Sequence, residues 1–192
     1  MNNKIKKILE TEISNEEIEI MNLLEVEKNI DNNFWRGSKN EWIKNLSSTG
    51  KGNVGENITK SILNKLKIKS VIPKNRRGDF DLEIVLPNST VLLCENKLAT
   101  LDTNGSFQFN GLKINRKYDL IFAIGVTPSC IYYKIIFFEE LQEGKYTFCS
   151  MTKKNNNEDK YSLSYKLMIP FEKMDNFVNF NEKIINKLSN KI

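Results

Sequence analysis

The sequence predicts an α/β fold: a central mixed β-sheet flanked by helices, with further helices toward the N- and C-terminal ends. Three observations predict it. Residues 54–66 (VGENITKSILNKL) place apolar side chains at 54, 58, 62, 63 and 66, the spacing of an amphipathic helix. YDLIFAIGVT and CIYYKIIFF are nearly unbroken apolar runs, which is how strands buried on both faces read. The end of the chain, NFVNFNEKIINKLSNKI, returns to helical spacing at 177, 180, 184, 185 and 188. Helix, strands, helix is the order of a sheet covered by helices.

The elements follow in order. Residues 1–30 carry Ile5, Ile8, Leu9 and Ile13, then Ile18, Leu23 and Leu24, which predicts two helices broken at Ser14-Asn15. They are expected as packing or dimerisation helices. Trp35 and Trp42 are expected as buried anchors around a short helix over 39–46. Helix 54–66 would hold Gly55 and Glu56 in its first turn, where a carboxylate suits the helix dipole. Strands over 79–86 and 91–97 are joined by PNST. Residues 106–117 read as a short helix or loop. Two buried strands with a turn at Thr127-Pro128-Ser129 come next, then strands at 145–151 and 161–168 around an exposed turn, KKNNNEDK. The division expected is one domain over 1–192, with a helical extension over 1–50, a core over 52–138, and C-terminal strands and a helix over 139–192.

Composition excludes several chemistries. The chain of 192 residues contains no histidine. Imidazole-based hydrolases and histidine zinc sites are therefore out. Catalysis here must use carboxylates, lysine, tyrosine or a metal held by oxygen. Cys94, Cys130 and Cys149 have no CxxC spacing and are expected to be reduced core thiols. SSTGKG lacks the GxxxxGK[ST] pattern, so no nucleotide cofactor is expected. No apolar run approaches the ~20 residues of a membrane span, and no signal-peptide core is present, so the expectation is a cytoplasmic protein without a membrane partner. A net charge of +5 permits a nucleic-acid partner.

The stretch GDFDLEIVLPNSTVLLCENKLAT (78–100) puts charge where a packed hairpin would have Val or Ile. Asp79, Asp81 and Glu83 share one face of the first strand; Glu95 and Lys97 share one face of the second. A three-residue loop at 87–89 pairs Asp81 with Glu95 and puts both carboxylates on the same side. A two-residue loop at 88–89 pairs Asp81 with Asn96 and separates them. Two carboxylates ~5 Å apart repel by roughly 3 kcal/mol at an effective dielectric near 20. A divalent cation offsets that repulsion, and hard oxygen ligands select Mg²⁺, with Mn²⁺ able to substitute. A metal, a water and a lysine amine suit phosphodiester hydrolysis.

These residues resemble the motif of the PD-(D/E)XK nuclease superfamily, whose best-known members are type II restriction endonucleases. The family order is a helix acid, a strand Asp, an (E/D)xK strand end and often a following Gln. GENITKSILNKL would supply Glu56, GDFDLEI Asp81, CENK Glu95 and Lys97, and FQFNGL Gln108. The resemblance covers about residues 52–138. The literal Pro-Asp is absent: Phe80 precedes Asp81, and Asp79 is the alternative ligand.

The resemblance implies a restriction endonuclease-like core and a Mg²⁺-dependent endonuclease acting on double-stranded DNA. It implies that Asp81, Glu95 and the Asn96 backbone carbonyl bind the metal and that Lys97 positions the attacking water. Glu56 would hold metal-bound water or a second ion, and Gln108 would orient Lys97 or a phosphate. Lys74, Arg76, Arg77, Lys113, Arg116 and Lys117 are candidates for DNA phosphates. A sequence-specific restriction enzyme with a palindromic target would act as a homodimer. The alternatives are a structure-selective nuclease of the Holliday-junction resolvase kind, an RNA-cutting nuclease with the same core, and a non-catalytic DNA-binding protein with a decayed site.

Overall fold

A computed structural model describes residues 34–73, 79–113, 116–143, 145–153, 162–176 and 180–189. The helices expected within 1–30, residues 154–160 of the turn KKNNNEDK, and Lys74, Arg76 and Arg77 lie outside the described residues.

In chain order the elements are α1 (Glu41–Lys44), α2 (Ser48–Lys65), β1 (Lys69–Val71), β2 (Leu82–Val85), β3 (Val91–Thr100), β4 (Ser106–Leu112), β5 (Leu120–Val126), β6 (Ile131–Phe137), α3 (Phe138–Gln142), β7 (Thr147–Lys153), β8 (Ser162–Pro170) and α4 (Phe180–Ser189). Five strands form a mixed sheet in the order β1-β2-β3-β5-β6, in which only β3 and β5 run parallel. The other three form a separate antiparallel sheet, β4-β8-β7. The expected central mixed sheet with flanking helices is the observed architecture.

β5 is the centre of the core: all seven residues of LIFAIGV are buried. It has a strand on each edge and a layer on each face, so no position needs a polar side chain. α2 covers one face. Gly55 allows it to come close: a Cβ there would lie 2.6 Å from Asn96 Oδ1 and 3.1 Å from Leu98 Cβ. Further along the helix Ile62 and Leu63 are buried, each contributing roughly 1.5–3 kcal/mol. The small sheet covers the opposite face. Phe107 of β4 packs on β5 at Gly125, where a Cβ would meet the Phe107 ring at 2.9 Å.

Several local expectations need correction. α2 begins at Ser48, not Val54, because Ser47 caps it by accepting a hydrogen bond from Gly50 N at 3.1 Å. Glu56 is therefore in the helix interior rather than the first turn. Residues 106–112 are a strand, not a helix or loop: Phe107 and Phe109 are buried and Gln108 alternates outward. The short helix is the single turn Glu41–Lys44. Trp35 is the expected anchor, but Trp42 is 57% exposed, since one helical turn directs only Ile43 inward. Cys94 is buried, whereas Cys130, in the turn before β6, is half-buried. Among the described residues no helix is long and apolar enough to cross a membrane.

Candidate active site

The site lies where the large sheet forks. β2 pairs with β3 from Val85↔Val91 to Leu82↔Cys94. This is the register of a three-residue loop at 87–89, closed by Leu86 N donating to Thr90 O at 2.8 Å. The ladder ends there: Asp81 N still donates to Cys94 O at 2.9 Å, and its charge acts on Glu95. Beyond Cys94 the chains part, while β3 continues to Thr100 paired with β5 on its other edge. The Asn96 N–H, on the edge β2 has left, is taken by Asp81 Oδ2 at 2.8 Å. A strand residue's N–H and C=O point to the same side, so the Asn96 carbonyl also faces Asp81.

Register with β5 fixes which side chains share a face. Glu95 lies beside Ile121 and Lys97 beside Ala123, both directed toward the small sheet as Gly125 is. Asn96 points the other way, toward α2, donating to Thr59 Oγ1 at 2.6 Å and to Phe122 O at 3.2 Å. The bonds of Asn96 thus tie the fork to both α2 and β5.

Glu95 is buried to 2% exposure, and Lys97 Nζ contacts its Oε1 at 2.6 Å. Burial pushes the Glu95 carboxyl above its ordinary range. The Lys97 ammonium opposes that, the Asp81 charge adds to it, and Arg116 also opposes it. The second oxygen, Glu95 Oε2, is buried with no hydrogen-bond partner. A buried carboxylate oxygen left over after an ion pair has an unmet demand for a donor or a cation. Asp81, Glu95 Oε2 and the Asn96 carbonyl would supply oxygen ligands only, the kind a small hard dication takes while completing its shell with water.

Among the described residues no three Asp, Glu or Cys side chains converge as a metal-binding group. The structure thus does not bring Glu56 together with Asp81 and Glu95. The reason is the layer order: α2 packs on the Asn96 and Leu98 face, across the sheet from the carboxylates. Asp79 is exposed at the start of the strand, whereas Asp81 is half-buried and bonded to β3, which favours Asp81 as the ligand.

A cleft of about 490 Å³ opens beside Lys97, between α2 (Ser48, Lys51) and β4 (Gln108, Asn110). Gln108 does not reach Lys97 by a direct bond. Its Nε2 donates to Asp102 Oδ2 at 2.6 Å, and its Oε1 accepts from Lys166 Nζ at 3.3 Å. Of the cations assigned to phosphates, Lys113 and Arg116 are half-buried and Lys117 is exposed.

Sequence reasoning missed Lys51, Asp102, Asn110, Lys166 and Tyr118. Tyr118 is buried beneath Phe138, its hydroxyl without a hydrogen-bond partner. Burial, followed by the Glu95 charge, pushes its pKa to about 12, with Arg116 opposing. Asn110 and Lys51 lie inside stretches singled out for other reasons, FQFNGL and SSTGKG, and the other three stand in no motif; tertiary packing gathers them.

No family model and no curated protein matches the sequence. Among solved structures, the fold is similar to that of a bacterial homing endonuclease, at 12% identity and a TM-score of 0.46, covering 76% of this chain and 96% of that one.

Proposed function

We propose that this chain is a Mg²⁺-dependent endodeoxyribonuclease that hydrolyses phosphodiester bonds in double-stranded DNA, as a homodimeric, sequence-specific restriction enzyme. The observation that supports it most is the fork itself. Asp81 is tied to the Asn96 backbone, Glu95 keeps one oxygen uncommitted, and Lys97 stands between that carboxylate and the cleft.

When bound by Asp81, Glu95 and the Asn96 carbonyl, the dication would draw charge from a non-bridging phosphate oxygen. The chain's own groups do the rest. Asp81 is held in place by the Asn96 N–H. Glu95, shared between Lys97 and the ligand set, fixes the lysine at 2.6 Å in one orientation. Lys97, its side chain still 22% exposed, donates from Nζ to the attacking water and to the phosphate oxygens as negative charge develops. The walls of the cleft limit bulk water around it. Arg116 adds positive charge near Glu95 and supports a phosphate next to the reacting one.

The test is incubation of supercoiled plasmid with wild type and with Lys97→Ala, each with Mg²⁺ and with EDTA, followed by sequencing of the ends. Wild type is expected to cut at a fixed sequence only with Mg²⁺. Lys97→Ala should fall by about 10²–10³-fold, the usual loss for one donor aimed at developing charge. Full activity in Lys97→Ala, or cleavage in EDTA, would refute the mechanism.

A further inference from the structure

The small sheet has a polar face that the hydrolytic mechanism does not use. Phe107, Phe109, Leu167 and Ile169 are all buried on its inner face. Strand alternation therefore sends Gln108, Lys166 and Met168 to the other face, and the pairing Gln108↔Met168 confirms it. That face carries a built hydrogen-bonded row: Lys166 donates to Gln108, and Gln108 donates to Asp102. Asp102 in turn accepts from the backbone N–H groups of Asn104 and Ser106, both at 2.9 Å. The Gln108 amide is thus fixed in plane at the wall of the cleft.

The next residue along this wall is treated differently. The β4–β8 register shifts between Phe109 and Leu112, a bulge that leaves Asn110 and Gly111 exposed between two fully buried side chains. Gly111 has φ +75°, and a Cβ there would meet nothing within 4 Å. The glycine is required by the backbone angle, not by space. Such a bulge turns one side chain away from the ladder while the flanking residues stay anchored. Here the side chain is Asn110, and it lines the cleft that holds Lys97.

We propose that the outer face of β4–β8 is the base-reading surface for duplex DNA, with Asn110 contacting an adenine edge in the major groove and Gln108 positioned beside it. This deepens the nuclease reading and rests on it. The chemistry favours this assignment. The major groove admits an antiparallel β-ribbon, and a carboxamide pairs with the adenine N6 donor and N7 acceptor at once. An exposed carboxamide on a bulge held by Phe109 and Leu112 reaches outward without being mobile. Lys51 and Ser48, on the opposite wall, lie where one strand's phosphates would run, which sets register without reading sequence.

The experiment selects duplexes with a randomised central block, using full-length Lys97→Ala protein in EDTA, alone and combined with Asn110→Ala or Asn110→Asp. Asn110→Ala is expected to lose roughly tenfold to hundredfold preference at one base-pair position per site and to keep it elsewhere. Asn110→Asp, equal in size, should move that position from adenine toward cytosine, whose N4 amine donates to a carboxylate. An unchanged preference in both variants, a loss spread evenly over all sequences, or no selection by the parent overturns the assignment. Wild-type plasmid cleavage with Mg²⁺ is scored separately. If it occurs at a fixed sequence while Asn110 variants read bases normally, the base-reading surface is wrong and the nuclease reading stands. If it does not occur, the nuclease reading fails.

Discussion

β3 and β5 lie side by side in parallel over seven paired positions, from Cys94↔Leu120 to Thr100↔Val126, yet their sequences have opposite character. Where β5 reads Ile121-Phe122-Ala123, β3 reads Glu95-Asn96-Lys97. Both segments are central in the sheet order and all but Lys97 are buried. The difference is the second edge. β5 is paired on both sides, so its N–H and C=O groups are satisfied and its side chains need only fill space. β3 loses β2 after Cys94, so its backbone meets the Asp81 side chain instead. Polar chemistry sits where the sheet opens.

That contrast can be broken by truncating one ladder pair in turn, Asn96 and Phe122. Phe122→Ala removes a fully buried ring from the central strand and should destabilise by about 3–5 kcal/mol. Asn96→Ala on the neighbouring strand removes two hydrogen bonds but little volume, and is expected to destabilise by about 1–3 kcal/mol. Urea midpoints at constant m-value measure both. Equal losses would mean that the fork carries as much packing as the core strand.

The next largest effect concerns the helix that supports the fork. In Gly55→Ala the new methyl would press on Asn96 Oδ1 at 2.6 Å and Leu98 Cβ at 3.1 Å. Overpacking of this kind destabilises by about 1–3 kcal/mol. Because Asn96 carries the N–H that holds Asp81, cleavage should fall more than stability explains. Measured well below the melting temperature, a rate equal to wild type would show that the α2 side of β3 is uncoupled from the site.

The residues that made the fork legible in the sequence are local. The spacing of Asp81 and Glu95 about PNST allowed two registers, and only the three-residue loop puts both carboxylates on one face. The unbroken apolar runs announced the buried strands. The failures have physical causes too. Phe107 and Phe109 alternate as a strand should, but the bulge at Asn110-Gly111 breaks the period before a third repeat. The start of α2 was hidden because Ser48–Asn53 contains two glycines and no apolar stripe, although Ser47 supplied a cap. Glu56 stands at a plausible distance in sequence, but only the layer order shows it across the sheet from Glu95. The row Asp102–Gln108–Lys166 joins positions up to 64 apart (102 to 166), and no local pattern encodes it.

The smallest predicted effect lies at the far edge of the same sheet, where β6 is closed rather than open. Tyr133 exchanges two backbone hydrogen bonds of 2.9 Å with Asp175, which blunts the edge. Beyond it, Lys187 of α4 binds both oxygens of Glu140 on α3, at 2.8 and 2.9 Å, and Phe137 N donates to Glu140 at 2.8 Å. Partial burial pushes the Glu140 carboxyl up, but the Lys187 contact, the Phe137 N–H and the charges of Lys187 and Lys145 outweigh it, and its pKa is lowered from 4.5. A carboxyl with a depressed folded-state pKa stabilises above its unfolded value, and that contribution is lost as pH falls through the folded one. Solvent screening keeps it under about 1 kcal/mol. Wild type should therefore melt slightly above Glu140→Gln at pH 7, with the gap closing below pH 4.5 as Glu140 takes up its proton. No gap at pH 7 would mean that Lys187 holds the edge through its stem over the Phe137 ring, 5.5 Å from the ammonium, and not through the carboxylate.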